Sequence, residues 1–322
     1  MAGRVTVMMA ALAATLTLSG GKAQAQSYPS QDIHVICAFP AGSGADVIVR
    51  YFAERLRPLA GVNIVVENKP GAAANVATEH VARSRPDGHT ILIHSGNSLA
   101  SNAHLIKNNP VDALKHIQVA ATINQQGFMF VVHQSTPIKT MGELIEVLKK
   151  KGDKASFGNS ANSGRIAGAL LNEQAGLKAV QVQYRTASDT LNDLASGQLD
   201  YAVLDPAVAL AQERQGRVRV LSIVVDERLP STPDIPTMKE LGYPMDLRGW
   251  FAAMVPSATP RPVVEKINVW INQILSTSEA KKFLEDVGSV PWSSKPEEGQ
   301  ARLAKDIGDW VDYVRIAKLI PQ

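Results

Sequence analysis

Phe39-Pro40-Ala41-Gly42-Ser43-Gly44-Ala45-Asp46 decides how this chain reads. The stretch follows an apolar run, Ile33 to Phe39, and precedes a helical pattern beginning near Asp46. Strand, glycine turn and helix start in that order leave backbone N–H groups unpaired at the positive end of a helix. An anion can bind there without a dedicated basic side chain. Taken alone, the stretch also fits an ordinary strand-to-helix turn that needs glycine for steric reasons. The surrounding chain gives it a larger role.

The chain has 322 residues, enough for two domains, with 45% hydrophobic and 20% charged residues, an ordinary soluble composition. The formal charge is +3, but the first 25 residues hold Arg4 and Lys22 and no acid, which leaves 31 basic against 30 acidic residues beyond them. That balance argues against nucleic acid or an anionic membrane surface as partner. Residues 1–25 read as a secretory signal. Arg4 marks a basic start, Val5 to Leu18 form an apolar run, and Ala23-Gln24-Ala25 is a small-x-small cleavage site. The run is short for a membrane span, so the expectation is an exported, soluble protein beginning near Gln26. The single cysteine, Cys37, lies within an apolar run and reads as a buried small hydrophobe.

From Gln26 onward, short apolar runs alternate with helical periodicity, the pattern of an α/β fold with parallel strands. Strands are expected at Ile33–Phe39, Asn63–Glu67 and Thr90–His94, each ending in a polar, glycine-bearing loop, the third being Ser95-Gly96-Asn97-Ser98. Ligands of open α/β sheets bind beyond the carboxyl ends of the strands. A second block starts near Phe128. Its stretch Gly158-Asn159-Ser160-Ala161-Asn162-Ser163-Gly164 runs from a short strand into a helix and mirrors the opening stretch. The strand Asp200–Leu204 then ends at Asp205-Pro206. The proline-rich segment Asp226–Gly249 reads as a loop returning to the first lobe. After Trp250–Pro256 the tail is helical, with starts at Pro262, Ser278 and Pro296.

Catalytic signatures are scarce. The chain has no G-x-S-x-G elbow, P-loop, H-E-x-x-H or strand-linked G-x-G-x-x-G. The seven histidines are scattered without metal-ligand spacing, and His94, at a strand end, is the one to watch. No metal or cofactor is expected. Two α/β lobes with facing glycine-bearing helix starts suggest capture of a carboxylate by hinge closure rather than its conversion.

Five motifs together resemble the periplasmic solute-binding proteins of tripartite tricarboxylate transporters, the Bordetella uptake gene family. They are Phe39-Pro40-Ala41-Gly42-Ser43-Gly44-Ala45-Asp46, Val66-Glu67-Asn68-Lys69-Pro70-Gly71-Ala72, Pro86-Asp87-Gly88-His89-Thr90, the run from Leu229-Pro230 to Ile235-Pro236-Thr237, and Trp250 to Pro256 followed by Thr259-Pro260. Their order and spacing cover nearly the whole mature chain.

The resemblance implies a two-lobed periplasmic binding protein fold of type II. Each lobe would be a mainly parallel sheet flanked by helices, with the ligand cleft between them. Expected boundaries are a signal at 1–25, a first lobe at 26–124 plus 226–322, and a second at 125–225. The resemblance also implies a protein without enzymatic activity. It would be a monomer that delivers a small organic carboxylate to the large and small permease subunits of a cation-gradient-driven transporter. A ligand-sensing role for a membrane sensor kinase, or a secreted hydrolase, are the alternatives.

The binding loops carried over by position are Phe39–Asp46 and Gly158–Arg165. The candidate contacts are Phe39, Ala41, Gly42, Ser43, Gly44, Asp46, Ser95, Asn159, Ser160, Ser163, Arg165 and Asp205. Ala41 and Ser43 depart from the family's usual proline and glycine, and Arg165 stands where the family often has histidine. Arg165 could pair bidentately with a distal carboxylate, favouring a dicarboxylate, or be a solvent-exposed arginine at a helix start. Phe39, Phe157 and Trp250 could flank an aromatic ring such as that of terephthalate, or pack in the core.

Overall fold

The computed structural model describes residues 28–321. The expected signal, residues 1–25, lies outside the described residues. Two sheets divide the chain. The first has the order β11-β4-β10-β3-β1-β2 and the second β7-β6-β8-β5-β9. In the first, β1 (Ile33–Cys37) pairs in parallel with β2 (Ile64–Asn68) and β3 (Thr90–Ser95). β10 (Gly249–Pro256), β4 (Ile117–Gln126) and β11 (Ser289–Pro291) extend it antiparallel. The second joins β6 (Ser156–Asn159) in parallel to β7 (Val180–Gln183) and β8 (Tyr201–Leu204), with β5 (Met129–His133) and β9 (Val218–Ile223) antiparallel beside them. Each sheet is thus parallel over three strands and antiparallel in its pairings beyond, beginning with the strand that arrives from the other lobe, β10 in the first sheet and β5 in the second.

The apolar run at Ile33 is continuous because β1 is covered on both faces. Val35 and Cys37 face a cluster with Ile48, Phe52 and Leu56 of α1 (Gly44–Ala60) and Ile267 and Ile271 of α9 (Arg261–Ser276). Ile36 and Ala38 face the opposite cluster, with Val81 of α2 (Asn75–Ala82) and Leu99 of α3 (Gly96–Leu105). In the second lobe, Phe130, Phe157, Tyr201 and Val203 pack with Leu144 and Leu148 of α5 (Met141–Lys151) and Ile166 and Leu170 of α6 (Asn162–Ala175). Thr140 and Glu143 close a capping box on α5. Leu194 of α7 (Ala187–Ala195) and Ala209 of α8 (Pro206–Arg214) cover the other face.

The change of sheet falls at Gly127–Phe128 and between Ile223 and Gly249, where Val224 N–H bonds Phe128 O at 2.8 Å. The segment read as a loop returning to the first lobe belongs largely to the second. Met238 N–H bonds Ile223 O at 3.0 Å, and Met238, Met245 and Leu247 fill the second lobe's core. Three methionine and leucine side chains scattered among prolines give no periodic signal. The tail helices α9, α10 (Ser278–Asp286) and α11 (Pro296–Ile316) start at or beside the expected residues. α11 spans both lobes, with Leu303 in a first-lobe cluster and Trp310 in the second lobe's core.

Gly168 of α6 lies against Phe157, where a Cβ would come within 2.1 Å of the ring. Overpacking of this kind costs about 1–3 kcal/mol. Gly168→Ala should lower the midpoint of denaturant unfolding accordingly. An unchanged midpoint would mean that Phe157 yields its place freely.

Candidate functional site

The opening stretch folds around a buried acid. Ser43 caps α1, its Oγ accepting the Asp46 N–H at 3.2 Å. Gly42 adopts φ 79°, a left-handed conformation suited to glycine, and its N–H reaches Asp46 Oδ2 at 2.8 Å. Arg50 Nε donates to the same oxygen at 2.8 Å, and Asn68 Nδ2 donates to Oδ1 at 2.7 Å and to Phe39 O at 3.0 Å. Burial pushes the Asp46 carboxyl up, but the Arg50, Asn68 and Gly42 donors outweigh it and hold it below the usual range. Asp46 therefore braces the loop from behind, with both oxygens engaged. Ala41 and Gly42 are exposed, and the N–H groups of Gly44 and Ala45 have no partner among the described residues.

The mirrored stretch is built differently. Asn159, fully buried, ties its own loop down by donating to Ala161 O at 3.1 Å and Gln183 Oε1 at 2.7 Å and accepting from Gln181 Nε2 at 2.9 Å. α6 then begins on Ala161, which offers no side-chain cap. The N–H groups of Asn162, Ser163 and Gly164 have no partner among the described residues. Ser160 is partly exposed and Ser163 buried. Arg165, in the same first turn, is partly buried and makes no hydrogen bond or ion pair among the described residues. Burial pushes its guanidinium pKa down. An uncapped helix start beside an arginine offers hydrogen-bond donors and positive charge at one place.

The two lobes meet beside these loops. Gly44, at the start of α1, lies against α8, where a Cβ would stand 3.2 Å from Ala207 Cβ and 3.4 Å from Asp205 Oδ1. Asp205 caps α8 by accepting the Ala207 N–H at 3.0 Å, and Gln126 Nε2 of the first lobe donates to its other oxygen at 2.8 Å. Burial raises the Asp205 carboxyl above the usual range against these two donors. Asp205 is thus a cap and an interlobe tie. A second tie runs from Asn162 Nδ2 to Ser101 Oγ at 3.0 Å.

The expected loop after β3 is absent, since Ser95 ends the strand and α3 starts at Gly96. Two of the three aromatic residues weighed as ring flanks are in the cores. Phe157 stacks on Tyr201 at 5.1 Å, and the Trp250 Nε1–H donates to Asp306 at 2.6 Å. Phe39 alone stays partly exposed, with its ring 5.1 Å from His94. Gln126, Arg50 and Asn68 escaped sequence reasoning as parts of the site. Only Arg50, four residues after Asp46 on a helical pattern, carried a signal that could have been read.

Two α/β lobes joined by crossing strands, with the starts of α1 and α6 each lying against the opposite lobe, have the architecture of a two-lobed solute-binding receptor. A sequence model of the family described as "Tripartite tricarboxylate transporter family receptor" matches residues 48–314, and the chain belongs to that family. BugT of Bordetella pertussis is 26% identical over 295 residues, covering 90% of each chain. The solved periplasmic binding protein BugD superposes with a TM-score of 0.82 at 27% identity, over 92% of this chain and 100% of that one. A structure of an R. palustris protein with adipate shares the fold, with a TM-score of 0.86 at 23% identity over 92% of this chain and 100% of that one. The protein is a periplasmic solute-binding receptor rather than an enzyme.

The folded-state pKa of Asp205 lies above its unfolded value, so stability from this group falls as pH rises between the two. Asn caps helices as well as Asp, and Gln126 can turn its amide to suit it. Asp205→Asn should therefore gain thermal stability over the parent as the pH rises above the ordinary carboxylate range. A difference between the two proteins that stays constant over that rise would overturn the assignment.

Proposed function

We propose that this receptor captures an organic dianion and delivers it to the large and small permease subunits of a tripartite transporter. The observation that carries the reading is the uncapped start of α6 with the unpaired Arg165 in its first turn. Three free N–H groups and a guanidinium offer hydrogen bonds and positive charge at one place. The free N–H groups of Gly44 and Ala45, supported from behind by Asp46, take the proximal carboxylate. Ala41, Gly42 and Ser43 shape that end. Ser160 and Ser163 line the distal end with Arg165, while Ser95 closes the side. The family to which the chain belongs supports a carboxylate as ligand.

An aliphatic chain suits the cleft better than the ring of terephthalate, because of the three aromatic candidates only Phe39 faces outward. The leader at residues 1–25, cleaved near Ala25, places the mature monomer in the periplasm, and no cofactor takes part. Sensing for a membrane kinase is the second reading, and deletion of the gene separates it from uptake through loss of transport.

A panel of mono-, di- and tricarboxylates tested by thermal shift should raise the unfolding temperature. A ligand present at a hundred times its Kd adds about 2.7 kcal/mol of apparent stability. No shift with any member would sink the carboxylate reading. Arg165→Ala should weaken a dicarboxylate by about ten- to a hundredfold, the scale of a hydrogen bond to a charged group, and its monocarboxylate analogue far less. Equal weakening of the two would remove Arg165 as the distal anchor.

A further inference from the structure

Unsatisfied polar atoms are unevenly spread over this molecule. Of thirteen buried side-chain nitrogen and oxygen atoms without a partner among the described residues, four lie on β3 and α3: both ring nitrogens of His94, Oδ1 of Asn97 and Oδ1 of Asn102. Buried polar groups are almost always paired, so each exception asks for a partner. Three of them, on His94 and Asn97, lie at the carboxyl end of a parallel strand, where ligands of α/β sheets bind, while Asn102 lies further along α3 with its amide on Ala73 and Asn75. His94 is wholly buried and Asn97 is 6% exposed.

The local construction fixes where Asn97 stands. A Cβ on Gly96 would come within 2.1 Å of the Trp250 indole, so only glycine lets α3 begin flush on that ring. Asn97 and Ser101 are one turn apart on α3. Ser101 Oγ accepts from Asn162, the first residue of the uncapped α6. Asn97 therefore lies on the helix face that meets the second lobe, one turn closer to the strand end. α3 itself starts without a side-chain cap, and the N–H groups of Gly96 and Asn97 have no partner among the described residues. His94 lies behind, with its ring 5.1 Å from Phe39 of the opening stretch. Burial drives its pKa down to about 3, so the ring is neutral and carries one donor and one acceptor.

We propose that the junction of β3 and α3 is a third wall of the cleft, where Asn97 takes a hydroxyl group carried by the bound carboxylate. The inference rests on the carboxylate reading above and extends it to the substituent that the ligand bears. The chemistry selects a hydroxyl. Asn97 Oδ1 only accepts, so it needs a donor, and the free N–H groups at the start of α3 need an acceptor. A hydroxyl supplies both through one oxygen. A methylene supplies neither and leaves Asn97 Oδ1 unpaired, and a site built to bond a hydroxyl rejects an analogue lacking it. His94 backs the wall through a water or the same hydroxyl, in whichever tautomer the contact requires.

Calorimetric titration with ligand pairs differing by one hydroxyl tests this: succinate with malate, glutarate with 2-hydroxyglutarate, and tricarballylate with citrate. In the pair of fitting length, the hydroxylated member should bind about tenfold or more tighter. Asn97→Leu should abolish that preference and leave the affinity for the unhydroxylated partner within about twofold. The milder Asn97→Ser should cut the preference by about threefold or more, and it decides the matter if the leucine variant fails to fold. Equal binding of both members by the parent protein, or equal weakening of both by the variants, would overturn the third wall while the carboxylate reading stands. Failure of every carboxylate to bind would overturn both.

Discussion

The geometry of the cleft depends on one buried charge. A carboxylate removed from water is costly unless donors surround it, and Asp46 is surrounded by the Gly42 N–H, Arg50 and Asn68. Those three donors come from the opening loop, from the helix behind it and from the neighbouring strand. Satisfying one acid therefore fixes the relative positions of three elements. The N–H groups of Gly44 and Ala45 remain free because they open α1 and have no intrahelical partner.

The second lobe solves the same problem without an acid. Asn159 ties its loop with neutral amides, and α6 starts with no cap at all. The two halves of the cleft are consequently unequal. On the first side Asp46 lies within the start of α1, and Asp205 of the second lobe approaches the same helix start at Gly44. On the second, the helix start and Arg165 carry positive charge with no protein acid paired to it. The first lobe carries the more conspicuous glycine motif, while the second carries the uncapped helix start with Arg165 in its first turn.

Much of the architecture was legible because it rests on short-range rules. The buried run at Ile33, the glycine turn and the proline starts of the tail helices all announce themselves within a few residues. The structure departs from the sequence reading where burial is polar or long-range. β4 carries Thr122, Asn124 and Gln126 inside the protein, so the alternation of Ile117, Val119, Ala121 and Ile123 does not reveal that its other face is buried too. The left-handed residues Ala72, Ala73 and Ala74 interrupt what reads as one helix from Ala72 to Arg83. Asp46 and Asp205 were legible as polar residues at strand ends, but not the direction in which they face. That depends on Asn68 and Gln126, which approach from other strands.

The C-terminal helix has a consequence for the order in which the molecule can be completed. Leu303 and Trp310 sit on one helix and close a core in each lobe. Neither hydrophobic interior is therefore finished until the last residues of the chain have been synthesised. Chains usually fold their early portions as they emerge, but here the early portion lacks a piece that only the end supplies. For a polypeptide that must thread through a membrane before it folds, late completion is an advantage. The same helix that joins the finished lobes keeps the unfinished ones open.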